Sequence, residues 1–143
     1  MNEDTINLLK ECNAGCKSAT NSMEQVLPYI KDENLKRIIA EYNDKHIKIG
    51  DECHQMLNAY HEEEKDPNIM GQTFAWISTE IKLKMNHENH EIADLMIDGC
   101  NMGIKSVSKY INKYKNASEE SMDLAQRIVK LEQEFMKDML PYL

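Results

Sequence analysis

Hydrophobic side chains recur along this chain at intervals that alternate between three and four residues, the period of one face of an α-helix. Nowhere do they alternate with period two for long enough to make a strand. The first run reads Ile6, Leu9, Asn13, Cys16, Thr20, Met23 and Leu27, flanked by Cys12, Ala19 and Val26, and predicts a helix over about 3–27. A second, with Leu35, Ile39, Tyr42, His46, Ile49, Cys53, Met56 and Tyr60, predicts a helix over about 33–64. A shorter helix is expected over about 72–85, carrying Phe74, Trp76, Ile77, Ile81 and Met85. A fourth, over about 90–114, presents Ile92 or Ala93, Ile97, Cys100, Ile104, Val107, Ile111 and Tyr114. The last, over about 118–140, carries Ala125, Ile128, Glu132, Phe135 and Met139 on one face. It opens on Ser118, a capping residue, followed by Glu119 and Glu120 where acids favour the positive end of the helix dipole. Pro28, Pro67 and Pro141 all fall between these runs, because proline inside a helix costs about 3 kcal/mol.

The pattern predicts an all-α protein, residues 1–143 forming a single helical-bundle domain. Tight connections near Pro28 and Asn116 make two antiparallel helix hairpins. The stretch from Lys65 to Asn89 is long enough to travel the length of the bundle as a crossover, which would make helices two and four parallel. Residues equidistant from a hairpin turn share a layer. Cys16 then lies opposite His46, and Cys100 opposite Leu131, one residue from Glu132. His46 and Cys100 fall at similar heights, so Cys16, His46, Cys100 and Glu132 are expected to converge near the middle, with Cys12, Asn13, Asn43 and Asn101 within a turn.

Composition narrows the setting. The formal net charge is -8 and only Arg37 and Arg127 supply guanidinium groups, which argues against nucleic acid as a partner. No stretch approaches the roughly 18 consecutive apolar residues of a membrane span. The opening Met1-Asn2-Glu3-Asp4 has neither a basic start nor an apolar core, so no secretory signal is expected and a cytoplasmic location follows. Thiols stay reduced there, and the four Cys are expected to be core thiols or ligands rather than disulfides.

The convergent layer has two readings. A carboxylate costs free energy to bury unless protonated, paired or metal-bound, and thiolate, imidazole and carboxylate together suit zinc or iron. Cys is also among the most buried residue types and packs as a small hydrophobe, and His46 can be a core histidine satisfied by Asn13 or Glu132. Cys12 and Cys16, four apart on one helix face, add a second pattern able to clamp a soft ion such as Cu(I). His54, His61, His87 and His90 sit among acidic and amide residues and read as solvated, and the ten Met as core fillers. No phosphate-binding glycine loop and no nucleophile elbow is present.

Two long helices, a Trp-bearing short helix and two further helices resemble the ferritin-like superfamily, and more narrowly an uncharacterised bacterial family of ferritin-like four-helix bundles. The local matches are Phe74-Ala75-Trp76-Ile77 and Asp98-Gly99-Cys100-Asn101-Met102-Gly103. The resemblance implies a ferritin-like bundle with a short helix in the crossover. The di-iron pattern of that superfamily takes a Glu from each of two helices and a Glu-x-x-His from each of the others. This chain departs from it: Asn43 precedes His46 where Glu belongs, Asn101 and Ile104 replace acids, Val129 precedes Glu132, and helix one offers Asn13 or Cys12. Two functions are therefore expected. One is a non-catalytic structural or interaction bundle lacking a di-iron centre, a homo-oligomer touching through Phe74 and Trp76. The alternative is a mononuclear protein that stores or senses one zinc, iron or copper ion through His46, Cys16, Cys100 and Glu132.

Overall fold

A computed structural model describes residues 2–60 and 87–143. Four long helices carry the fold: α1 (Glu3–Val26), α2 (Glu33–Ala59), α3 (Asn89–Lys113) and α4 (Glu119–Met139). There is no strand among the described residues, so the expected all-α bundle is observed. The expected helix over 72–85 lies outside the described residues, as do Phe74, Trp76 and the end of the expected second helix at residue 64. Within them α2 stops at Ala59, with Tyr60 in a turn. None of the helices described is long and apolar enough to cross a membrane.

Local chemistry sets the ends. Asn2 caps α1, its Oδ1 accepting from Thr5 N at 2.9 Å, and Asp32 caps α2, its Oδ1 accepting from Leu35 N at 3.0 Å. The Ser118 hydroxyl accepts from Ser121 N at 3.2 Å at the start of α4. Such caps are worth about 0.5–2 kcal/mol each. Short 3₁₀ turns, Leu27–Tyr29 and Leu140–Tyr142, each built around a proline, follow α1 and α4.

Contacts between helix ends give the topology. Asn116, in the turn between α3 and α4, donates its backbone N–H to Asp4 at 3.0 Å, and Ser118 donates to the Thr5 hydroxyl at 2.7 Å. At the other end Asn89 donates to Asp32 at 3.2 Å, and the rings of Tyr29 and His87 stack at 4.5 Å. The starts of α2 and α3 therefore share one end, and these helices run parallel. A helix of 27 residues spans about 40 Å, so the chain leaves at Tyr60 and re-enters at His87 at opposite ends of the bundle.

The core is built from Leu8, Leu9, Met23, Leu35, Ile39, Leu57, Met96, Ile128, Phe135 and Met139, each fully buried. The α4 stripe follows the sequence pattern residue for residue. On α3 the buried line runs through Met96, Gly99, Gly103 and Ser106, with Ile97 and Ile111 only half-buried at its edge. Glycine and serine let that helix approach closely, and the bulky isoleucines flank the contact. On α1 burial is broader than a stripe, continuous from Glu11 to Cys16, because α1 packs against all three other helices.

Two glycines mark the tightest approaches. A Cβ on Gly103 would lie 3.0 Å from Glu132 Oε2 and 3.3 Å from its Cδ, whereas one on Gly50 would meet Cys16 Cβ at 3.5 Å, an ordinary contact. Glycine in a helix interior costs about 1 kcal/mol relative to alanine. Gly50→Ala is therefore expected to raise stability in urea denaturation by about 0.5–1 kcal/mol. Gly103→Ala is expected to lower it, since the carboxylate it meets is buried and held from its other side.

Candidate functional site

The centre of the bundle holds a charged pair. His46 on α2 and Glu132 on α4 are each only 1% exposed, and His46 Nε2 contacts Glu132 Oε1 directly. His46 Nδ1 donates to the Tyr42 carbonyl at 2.7 Å. A carbonyl only accepts, so Nδ1 carries hydrogen and Nε2 is the atom turned to the carboxylate. Phe135 steadies the ring: it stacks on Tyr42 at 4.5 Å and meets the imidazole edge-on at 6.3 Å. The Tyr42 hydroxyl in turn donates to Asp138 at 2.5 Å, so α2 and α4 are clamped over about two turns.

Burial alone would push the His46 imidazole down. The Glu132 charge, the hydrogen bond to it and the Tyr42 carbonyl together outweigh that, and its pKa is raised above the ordinary 6.5. The raised value favours the protonated imidazole beside Glu132. Oε2 of Glu132 lies over Gly103 and has no hydrogen-bond partner among the described residues.

All four thiols are free and buried. Cys100 is raised by burial and then by the Glu132 charge beside it. Cys16 is raised well above the thiol range by burial, then by Cys53, Cys12 and Glu132. Cys12 is likewise raised by burial and by Cys53, and burial pushes Cys53 up to about 12. These thiols stay protonated near neutrality unless something replaces the proton.

The expected layer is thus assembled in part. His46 and Glu132 touch, Cys100 is beside the carboxylate, and Cys16 lies within electrostatic range of Glu132. Cys12 belongs with Cys16 and Cys53 at the α1–α2 contact. Asn13 and Asn43 are buried in the same interior, and their Nδ2 and Oδ1 atoms have no hydrogen-bond partner among the described residues. Asn101 is exposed. Among the described residues no three His, Cys, Asp or Glu side chains are already grouped as a metal-binding set. Among the described residues, Glu132 is the carboxylate that direct contact places in this layer.

A cavity of about 300 Å³ reaches the imidazole from outside, lined by Asn13, Cys16, His46, Gly50, Asp51 and His54 among others. The sequence pattern puts Asp51 and His54 on a solvated face; they are exposed, and they also stand at this opening. Two features escape a periodicity reading. Glu11, only 7% exposed, lies off the apolar stripe of α1, and Gly50 is among the residues that line the cavity. Asn13 and Cys16, three apart on α1, are the residues that face Gly50.

No family model matches the chain, and no curated protein matches it.

Removing one member of a buried pair typically costs about 3–5 kcal/mol, while replacing both by apolar groups is near neutral. His46→Leu is expected to lose stability of that order in urea melts, and His46→Leu/Glu132→Leu to recover most of it. The pair also gives a pH signature. The folded state holds the His46 proton more tightly than the unfolded chain, so its contribution is complete below the ordinary 6.5 and disappears as pH rises through the raised folded value. Chelator-treated protein should lose stability as pH rises above the ordinary imidazole value of 6.5, and the double variant should show a flatter profile there.

Proposed function

We propose that this chain is a non-catalytic ferritin-like bundle whose central layer binds one transition-metal ion in place of a di-iron centre. The observation that carries this reading is the His46–Glu132 pair, and above all the way His46 is held. Histidines that ligate metals almost always donate their other ring N–H to a carbonyl or carboxylate, which fixes the tautomer and raises the ligand's basicity. Here Nδ1 donates to the Tyr42 carbonyl, and Nε2 faces a carboxylate whose Oε2 has no partner among the described residues. One proton stands between two metal donors.

Cys100, beside the carboxylate, and Cys16, which shares the cavity with His46, are the nearest further donors. Ligation requires one or both thiols to turn toward the pair and release a proton, as metal binding to protonated ligands does. Imidazole, carboxylate and thiolate form the mixed set that zinc accepts in tetrahedral geometry, with Fe(II) and Co(II) sharing it. The interaction-bundle reading draws on the regular apolar stripes and the missing di-iron ligands, and its suggested contact residues Phe74 and Trp76 lie outside the described residues, whereas the buried pair favours the metal reading.

The test is uptake by protein purified without a histidine tag. About one equivalent of zinc or cobalt per chain is expected, with a thiolate-to-cobalt charge-transfer band. Glu132→Gln and His46→Ala should each lose uptake, and Cys100→Ser should lose the charge-transfer band or shift the burden to Cys16. Substoichiometric uptake unchanged in His46→Ala would overturn the proposal.

A further inference from the structure

We infer that the cavity over Gly50 is the entry route of the metal site, with Asp51 and His54 as its outer capture ligands; this rests on the metal reading above. The argument starts from a helix face. His46, Gly50 and His54 are spaced four apart on α2, so they lie one above another along one side of the helix, and all three line the cavity. The innermost is the buried imidazole that contacts Glu132, and the outermost is an exposed imidazole at the mouth, next to exposed Asp51.

Between them stands the residue without a side chain. The gap at Gly50 is bounded by Cys16, whose Cβ would be 3.5 Å from a Cβ added there, and by Asn13, whose Oδ1 would be 4.0 Å away. Asn13 is only 1% exposed, and its Oδ1, the amide atom that can coordinate a cation, is the one that faces Gly50. A divalent ion sheds water reluctantly and moves inward only where new donors replace it. This wall supplies donors in order: the Asp51 carboxylate and His54 imidazole outside, the Asn13 amide and Cys16 thiol midway, and His46 with Glu132 at the end. Lys17 is the cation at the same opening, and Thr20 and Ile47 complete it. The net charge of -8 raises the concentration of cations near the surface.

A side chain that fills the gap should obstruct passage; its Cβ meets Cys16 and Asn13 rather than His46, Glu132 or Cys100. Stopped-flow cobalt loading of the full chain, read at the thiolate charge-transfer band, measures this directly. Gly50→Leu is expected to slow both uptake and chelator-driven release by about tenfold or more, a factor of 10 for each 1.36 kcal/mol of added barrier, with stoichiometry and affinity unchanged. Asp51→Asn/His54→Gln is the second variant, expected to slow uptake at low cobalt while leaving the bound spectrum as it is. Circular dichroism establishes that both variants fold. If wild type loads and depends on His46, but neither variant alters a rate, the route is wrong and the metal site stands. If wild type takes up no cobalt, the metal reading fails and the route fails with it.

Discussion

The contact between His46 and Glu132 is the constraint around which the rest of this bundle is arranged. Two ionisable groups taken wholly out of water cannot be left unpaired, so α2 and α4 are locked in the one register that brings Nε2 to the carboxylate. The neighbours conform to it. Phe135 packs against both Tyr42 and His46, the Tyr42 carbonyl takes the Nδ1 hydrogen, and Gly103 leaves room for Oε2. A slip of α4 by one residue would carry the Glu132 carboxylate away from the imidazole and leave its charge without that partner. An apolar core of the same volume would hold the helices as firmly, so the polar layer is kept for specificity or for chemistry.

Much of this was legible in the residue pattern. Four of the expected helices are present with starts and ends within a residue or two, apart from α2, which stops at Ala59 in the described part. Reflection about the turns put Cys16 with His46 and Cys100 near Glu132, and Glu132 on a buried stripe followed from its spacing with Ala125, Ile128, Phe135 and Met139. What escaped has a common cause. Hydrophobic periodicity registers large side chains, whereas close contacts here are made by small ones. On α3 the expected Ile92, Ala93, Cys100 and Val107 are buried, while the small Gly99, Gly103 and Ser106 beside them carry no hydrophobic signal. The continuous burial of α1 from Glu11 to Cys16 reflects three neighbours at once, which no single-helix pattern encodes. Gly50, which lines the cavity, has no side chain for such a pattern to register, and the outer residues are polar because they meet water.

The chemistry of the layer follows from a shortage of positive charge. Glu132 is met by the His46 imidazole and the Cys100 thiol, and the nearby thiols resist ionisation because they are buried beside it. A divalent cation would reverse this balance: it satisfies both carboxylate oxygens, replaces the proton at Nε2, and stabilises a neighbouring thiolate that is otherwise suppressed. One carboxylate, one imidazole and one or two thiolates balance a single ion.

The most direct measurement is X-ray absorption at the zinc edge on protein carrying one equivalent of zinc. The account predicts a mixed first shell, with at least one sulfur at about 2.3 Å and imidazole nitrogen and carboxylate oxygen at about 2.0–2.2 Å. A shell of oxygen and nitrogen alone, unchanged when His46 is replaced, would place the ion on the surface and contradict it.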